Sequence, residues 1–187
     1  MEIHATELDG VFLIKPRRIA DERGFFSESW NSRRMAEHGL ACDFVQDNHS
    51  LSHERGTLRG LHFQAPPHAQ AKLVRCGRGR LFDVAVDIRK GSPSWGRWVG
   101  RELSFENGLQ LFIPAGFLHG FLTLEADTEI IYKCSDHYAP ECDGAVRWDS
   151  CAIDWPLPGP AVLSAKDAQA PRLEAFDSPF AYGETQA

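Results

Sequence analysis

No apolar run in this chain is long enough to span a bilayer. The opening MEIHATELDG lacks both the basic start and the apolar stretch of a secretory signal. No CxxC pair occurs, and the five cysteines, Cys42, Cys76, Cys134, Cys142 and Cys151, are odd in number. These absences argue against a membrane protein, a disulfide framework and a zinc cage, and make a reducing cytoplasm the expected setting. Positive charge is also short. Twenty Lys and Arg against 26 Asp and Glu leave a net charge of −6, so no general nucleic-acid surface is expected, since that needs a basic field. Internal repeats, low-complexity tracts and linkers are missing, and helix signals are scarce.

What is present is ordinary for a globular protein. The 187 residues, 43% hydrophobic and 25% charged, suffice for one domain with a sizeable core. That domain is taken as residues 1–187. After Trp155 the composition shifts to Pro and Ala, which predicts a segment from about residue 156 that wraps the body. NSRRMAEHGL offers Asn31 as an N-cap and Gly39 as a stop, and LSAKDAQAP offers Ser164 as a cap and Pro171 as an end. Two short helices are predicted there. The rest is strand-like. KLVRC and RLFDVAVDI flank GRG, a hairpin signal. Within RLFDVAVDI, Phe82, Val84, Val86 and Ile88 form a clearly apolar face, alternating with Leu81, Asp83, Ala85 and Asp87. Many short strands separated by Gly, Pro and Asn-Gly turns predict an all-β sandwich or barrel.

Several stretches carry chemistry. IPAGFLHGF holds Pro114, Gly116 and His119 as P-x-G-x-x-H, a spacing that resembles the second motif of the cupin superfamily. By itself it reads better as a turn followed by a satisfied core histidine. Metal-binding cupins resemble one another in an H-x-H pair, but here His62 is followed by Gln64, so a transition-metal site lacks ligands. Lys72 opens a strand, either snorkelling at an edge or facing a pocket as a fixed cation for a developing oxyanion. Tyr132 and Tyr138 are two of only three tyrosines and share facing parity on an extended chain. They read as amphipathic core residues, or as a proton donor and a stacking plate. In DERGFFSE, Arg23 and Glu28 are either a surface ion pair or ligand contacts. In LSAKD, Asp167 is either a helix-cap residue favoured by the dipole or the partner of a catalytic histidine.

In order along the chain, DERGFFSESW, FVQDNHS, LRGLHFQ, AKLVR, FDVAVDIRKGSP, WGRWVG, IPAGFLHGF, YAP, DWPL and LSAKD together resemble the dTDP-4-dehydrorhamnose 3,5-epimerase family. The resemblance implies an all-β cupin jelly roll, or double-stranded β-helix, with a few short helices. It implies His62 as general base, Asp167 as its dyad partner and Tyr132 as the opposing acid. Lys72 and His119 are implied as contacts at the keto oxygen, and Arg59 as the diphosphate clamp. Gln46, Asp47 and Asn48 are implied as nucleotide contacts, Tyr138 as the thymine plate, and Lys166 as a late-chain contact. Asp143 stands where relatives often carry Glu, and Ala71 where they carry Gly. Arg23 and Glu28 are expected from the neighbouring subunit of a homodimer with a shared site.

The implied reaction inverts dTDP-4-keto-6-deoxy-D-glucose at C3 and C5 in dTDP-L-rhamnose biosynthesis. Inverting a carbon beside a ketone needs a base on one face, an acid on the other and an enolate between them. Histidine is poised as a base near neutral pH, and no cofactor or metal is expected. The alternatives are a 3-only or 5-only epimerase or a ketoisomerase on a related keto sugar, a non-catalytic sugar-binding cupin, and a metal-dependent cupin dioxygenase.

Overall fold

The structure, a computed structural model, describes residues 1–183. In chain order its elements are β1 (Glu2–Ala5), β2 (Phe12–Lys15), β3 (Arg18–Asp21), β4 (Gly24–Ser27), α1 (Ser32–Glu37), β5 (Gln46–Ser52), β6 (Leu58–Gln64), β7 (Lys72–Arg78), β8 (Arg80–Asp87), β9 (Trp98–Ser104), β10 (Gln110–Ile113), β11 (Phe117–Thr123), β12 (Thr128–Cys134), β13 (Asp143–Ala145) and α2 (Ala165–Gln169). Two sheets form the body, ordered β1-β2-β10-β7-β12-β5 and β13-β6-β11-β8-β9, while β3 and β4 make a separate hairpin. This is the two-sheet jelly roll predicted from the sequence. Both predicted helices form with their predicted caps. The Asn31 side chain accepts from Arg34 N at 3.1 Å, and the Ser164 hydroxyl accepts from Asp167 N at 3.1 Å.

Between the sheets lies a cluster that includes Val74, Leu81, Ala85, Leu103, Leu111, Phe121 and Ile130. The outer face of the five-stranded sheet, with Leu61, Val84, Val86 and Ile88, is covered by Trp155, Leu173, Phe176 and Phe180 from the late chain. The outer face of the six-stranded sheet packs Ile14, Leu73 and Phe112 against Met35 of α1 and Leu40.

One expectation is corrected. GRG does not close a hairpin: β7 pairs with β10 and β12, whereas β8 pairs with β11 and β9. Gly79, at φ 74°, lets the chain leave one sheet and enter the other. A local turn signal cannot distinguish a hairpin from such a corner, because partner choice is set by non-local packing. The apolar face of β8, with Val84, Val86 and, just past the strand, Ile88, forms as expected, and its other face is buried as well. Asp83 and Asp87 are as fully buried as Val84 and Val86, because β8 is a central strand covered on both sides.

Candidate active site

The jelly-roll interior is apolar at one end and polar at the other. Strand alternation aims His62 and Gln64 of β6, Lys72 of β7, and Tyr132 of β12 inward at the polar end. They line a cavity of about 220 Å³ together with Gln46, Asn48, Phe63, Gln70, Tyr138, Asp143 and Lys166. His62 and Lys166 also border an adjoining cleft of about 340 Å³ that carries Arg59, Ser164 and Asp167.

His62 Nε2 lies 2.6 Å from Asp167 Oδ1. Asp167 is buried, whereas a third of the His62 side chain remains open. The second Asp167 oxygen accepts from the Ser164 hydroxyl at 2.9 Å. Burial pushes the Asp167 carboxyl up, but the hydrogen bonds from His62 and Ser164 outweigh it and hold the group below its ordinary range. The carboxylate is therefore ionised, and it fixes which ring nitrogen of His62 is left for chemistry. The sequence supplied Ser164 as a helix cap. Its second role, orienting the dyad carboxylate, has no sequence signal, because Asp167 and His62 meet only in the fold.

Lys72 Nζ lies 5.9 Å from the centre of the Tyr132 ring. Burial lowers the lysine pKa, opposed by Cys134, Asp143 and Asp83. Burial also pushes the Tyr132 phenol up, so it stays protonated through the neutral range. His119 pairs with His62 across β11 and β6, and its ring is 6.2 Å from that of Tyr132. It sits behind the cavity wall, 2.8 Å from Asp83 Oδ1. Burial pushes the His119 pKa down and that of Asp83 up. Asp83 is an inward carboxylate not foreseen as a site residue; its one trace in the sequence is a charge interrupting FDVAVDI. The P-x-G turn before His119 needs its glycine, since Gly116 has φ 90° and a Cβ there would meet Arg89 Cγ at 2.8 Å.

At the rim, Asp143 of β13 forms an ion pair with Lys166 of α2, so the shorter acid still reaches across. Gln46 Nε2 donates to Asn48 Oδ1 at 3.1 Å. Arg59 donates to Ser52 Oγ at 3.2 Å and to Leu51 O at 3.1 Å. Tyr138 is exposed and lies beyond the end of β12. It reaches the same cavity as Tyr132 through a loop, and not through strand parity.

Three expected residues, Asp47, Arg23 and Glu28, point away from the cavity and its adjoining cleft. Asp47 lies between Gln46 and Asn48, so alternation turns it to the outer face, where it holds Lys133 at 2.9 Å. Arg23 is on the exposed hairpin, paired with Asp21 at 2.6 Å, and Glu28 follows it, paired with Arg34 at 3.2 Å. A larger cavity, about 530 Å³, is lined by Asp9, Cys42, Asp43, Arg89 and Asp136 among others. It contains no dyad or inward lysine, so we assign the chemistry to the smaller one. Among the described residues no group of three or more His, Cys, Asp or Glu is arranged to hold a metal ion, and no helix is long and apolar enough to cross a membrane.

Comparison with known proteins bears directly on this geometry. The family model described as dTDP-4-dehydrorhamnose 3,5-epimerase matches residues 5–175. The protein of that name from Sinorhizobium fredii is 51% identical, with 97% of this chain and 94% of that one covered. A crystal structure of dTDP-6-deoxy-D-glucose-3,5-epimerase from Legionella pneumophila, in complex with dTDP-4-keto-L-rhamnose, superposes with a TM-score of 0.90 at 47% identity, covering 94% of each chain. A 3'-monoepimerase from Streptomyces bikiniensis, in complex with dTDP-quinovose, has a TM-score of 0.86 at 34% identity, covering 91% of this chain and 87% of that one. The chain, with its cupin jelly roll, belongs to the dTDP-4-dehydrorhamnose 3,5-epimerase family of isomerases.

Proposed function

We propose that the chain converts dTDP-4-keto-6-deoxy-D-glucose to dTDP-4-keto-L-rhamnose by inverting C3 and C5, as a cytoplasmic step of dTDP-L-rhamnose biosynthesis. The observation that carries this reading is the His62–Asp167 dyad, closed at 2.6 Å, on one wall of a cavity whose opposite wall holds Tyr132. C3 and C5 both flank the C4 ketone, so one base and one acid serve both positions. His62 removes the proton on one face, and Asp167 stabilises the imidazolium that results. Negative charge develops on the keto oxygen, where Lys72, with His119 behind it, meets it. Tyr132 returns a proton on the other face. Each inversion leaves His62 protonated and Tyr132 deprotonated, so both exchange with solvent before the next.

Arg59 and Lys166 flank the adjoining cleft, which suits a diphosphate, and exposed Tyr138 suits the thymine ring. Gln46, Asn48 and Asp143 line the remaining wall. Ile19, Phe25 and Phe26 of the β3–β4 hairpin are exposed, which supports a homodimer in which the partner subunit's Arg23 and Glu28 complete the site. The five cysteines are unpaired, as a reducing compartment requires.

The test is incubation with dTDP-4-keto-6-deoxyglucose in D₂O with an NADPH-dependent reductase as trap, read by NMR. Deuterium at both C3 and C5 is expected. Deuterium at one carbon alone makes the chain a single-position epimerase, and none at either removes the assignment.

A further inference from the structure

Gln64 lies at the position where a metal-binding cupin would carry its second histidine, and it is almost fully buried. Its side-chain amide is fully engaged with rim backbone. Nε2 donates to His137 O at 2.9 Å and to His68 O at 2.5 Å. Oε1 accepts from Ala139 N at 2.9 Å. Between these two contacts on the 137–139 segment, Tyr138 N donates to Gln46 Oε1 at 2.9 Å. Three consecutive backbone groups, the His137 carbonyl and the Tyr138 and Ala139 amides, are thus held by two glutamine side chains. Gln46 comes from β5 of one sheet and Gln64 from β6 of the other, so the segment is gripped from both walls of the jelly roll.

An irregular segment carrying an exposed aromatic ring would ordinarily be mobile. Here its backbone is pinned while the ring stays exposed. Gln64 also ties in the 65–71 loop through His68 O. Gln70 reinforces this with a bond to Asp136 O at 2.8 Å, and His68 adds a hydrogen bond with the Asp136 carboxylate at 3.0 Å. None of these groups hydrogen-bonds to the His62–Asp167 dyad, whose side-chain partner is Ser164.

We propose that Gln64 is a positioning residue for substrate affinity: with Gln46 it pre-sets Tyr138 as a rigid plate for the pyrimidine base of a nucleoside diphosphate sugar. This rests on the reading of Tyr138 given under Proposed function. A pre-set plate lowers the ordering cost of binding and leaves the chemical step alone. Gln64→Met keeps the length and apolar stem and removes all three hydrogen bonds.

The experiment measures kcat and KM for dTDP-4-keto-6-deoxyglucose, and the Kd for dTDP by calorimetry, in wild type, Gln64→Met, Tyr138→Ala and the double variant. For Gln64→Met, KM and Kd are expected to rise at least about fivefold, with kcat within about twofold. Because Gln64 acts through Tyr138, its effect is expected to vanish in the Tyr138→Ala background. A smaller rise, a fall confined to kcat, or an effect that persists in full without Tyr138 would overturn the proposal. If Gln64→Met does not fold, amide exchange on the wild-type protein decides. Slow exchange at Tyr138 and Ala139 without ligand supports pre-setting, and fast exchange slowed only by dTDP overturns it. A wild-type protein that binds dTDP but fails to epimerise refutes the proposed function and leaves this test intact.

Discussion

Tyr132→Phe separates starting the reaction from deciding its stereochemistry. The substitution removes one hydroxyl and keeps the ring packed against the inter-sheet cluster. The residue lines the polar cavity together with Asn48, so removing its hydroxyl costs at most about 1 kcal/mol of folding stability. In a chain of this size that lowers Tm by roughly 2–4 °C. The chemical cost is larger. Loss of a positioned acid slows its step by about 10²–10⁴-fold, or roughly 3–5 kcal/mol of barrier. Under the proposed mechanism the loss is expected to fall on inversion alone, with His62 and its 2.6 Å partner Asp167 still able to remove the proton. The enolate is then reprotonated from the His62 side. In D₂O the expected result is deuterium in the sugar with configuration retained, while trapped product falls steeply. His62→Ala is expected to abolish both signals. Inversion by Tyr132→Phe at near wild-type rate would refute the acid assignment. Loss of exchange together with inversion would show that the phenol is needed to form the enolate.

Asp167→Asn is expected to lower kcat strongly, with KM little changed, and an unchanged kcat in steady-state kinetics would reduce Asp167 to a helix cap. Because the folded Asp167 carboxyl is held below its ordinary value, it adds stability that is present above the unfolded pKa of about 3.9 and is lost as pH falls through the folded value. The variant's acid unfolding curve is expected to lack that contribution. Lys72→Met is expected to reduce turnover by about 10²-fold or more while leaving Tm unchanged or higher, since it replaces a half-buried ammonium by an apolar side chain of similar length. A Tm drop of several degrees in calorimetry would instead make Lys72 a structural residue. Turnover is expected to survive exhaustive chelation, since Gln64 occupies the second-ligand position; loss with EDTA, restored by one divalent metal, would overturn this. Sedimentation is expected to give a dimer at micromolar concentration, and a monomer of full activity would rule out a shared site.

The sequence by itself determined the elements whose signals are local. Asn31 and Ser164 cap their helices because a short side-chain oxygen satisfies an orphan amide within the same turn. The Pro114–Gly116 turn and the inward histidine after it follow from backbone constraints within six residues. The resemblance of its ordered motifs pointed to His62, Lys72, Tyr132 and Asp167 together. Strand β5, QDNHSLS, shows what local reading misses. It carries no apolar alternation because its inward face is the polar end of the site and its outer face bears Asp47 and His49. Apolar periodicity fades wherever a strand lines a polar cavity. Only the tertiary structure sent β7 and β8 to different sheets, turned Asp47 outward, buried Asp83 behind His119, and gave Gln64 its three backbone partners. Each of these depends on which distant strand lies alongside, and pairing across many tens of residues is chosen by the packing of whole sheets, which no short window of sequence contains.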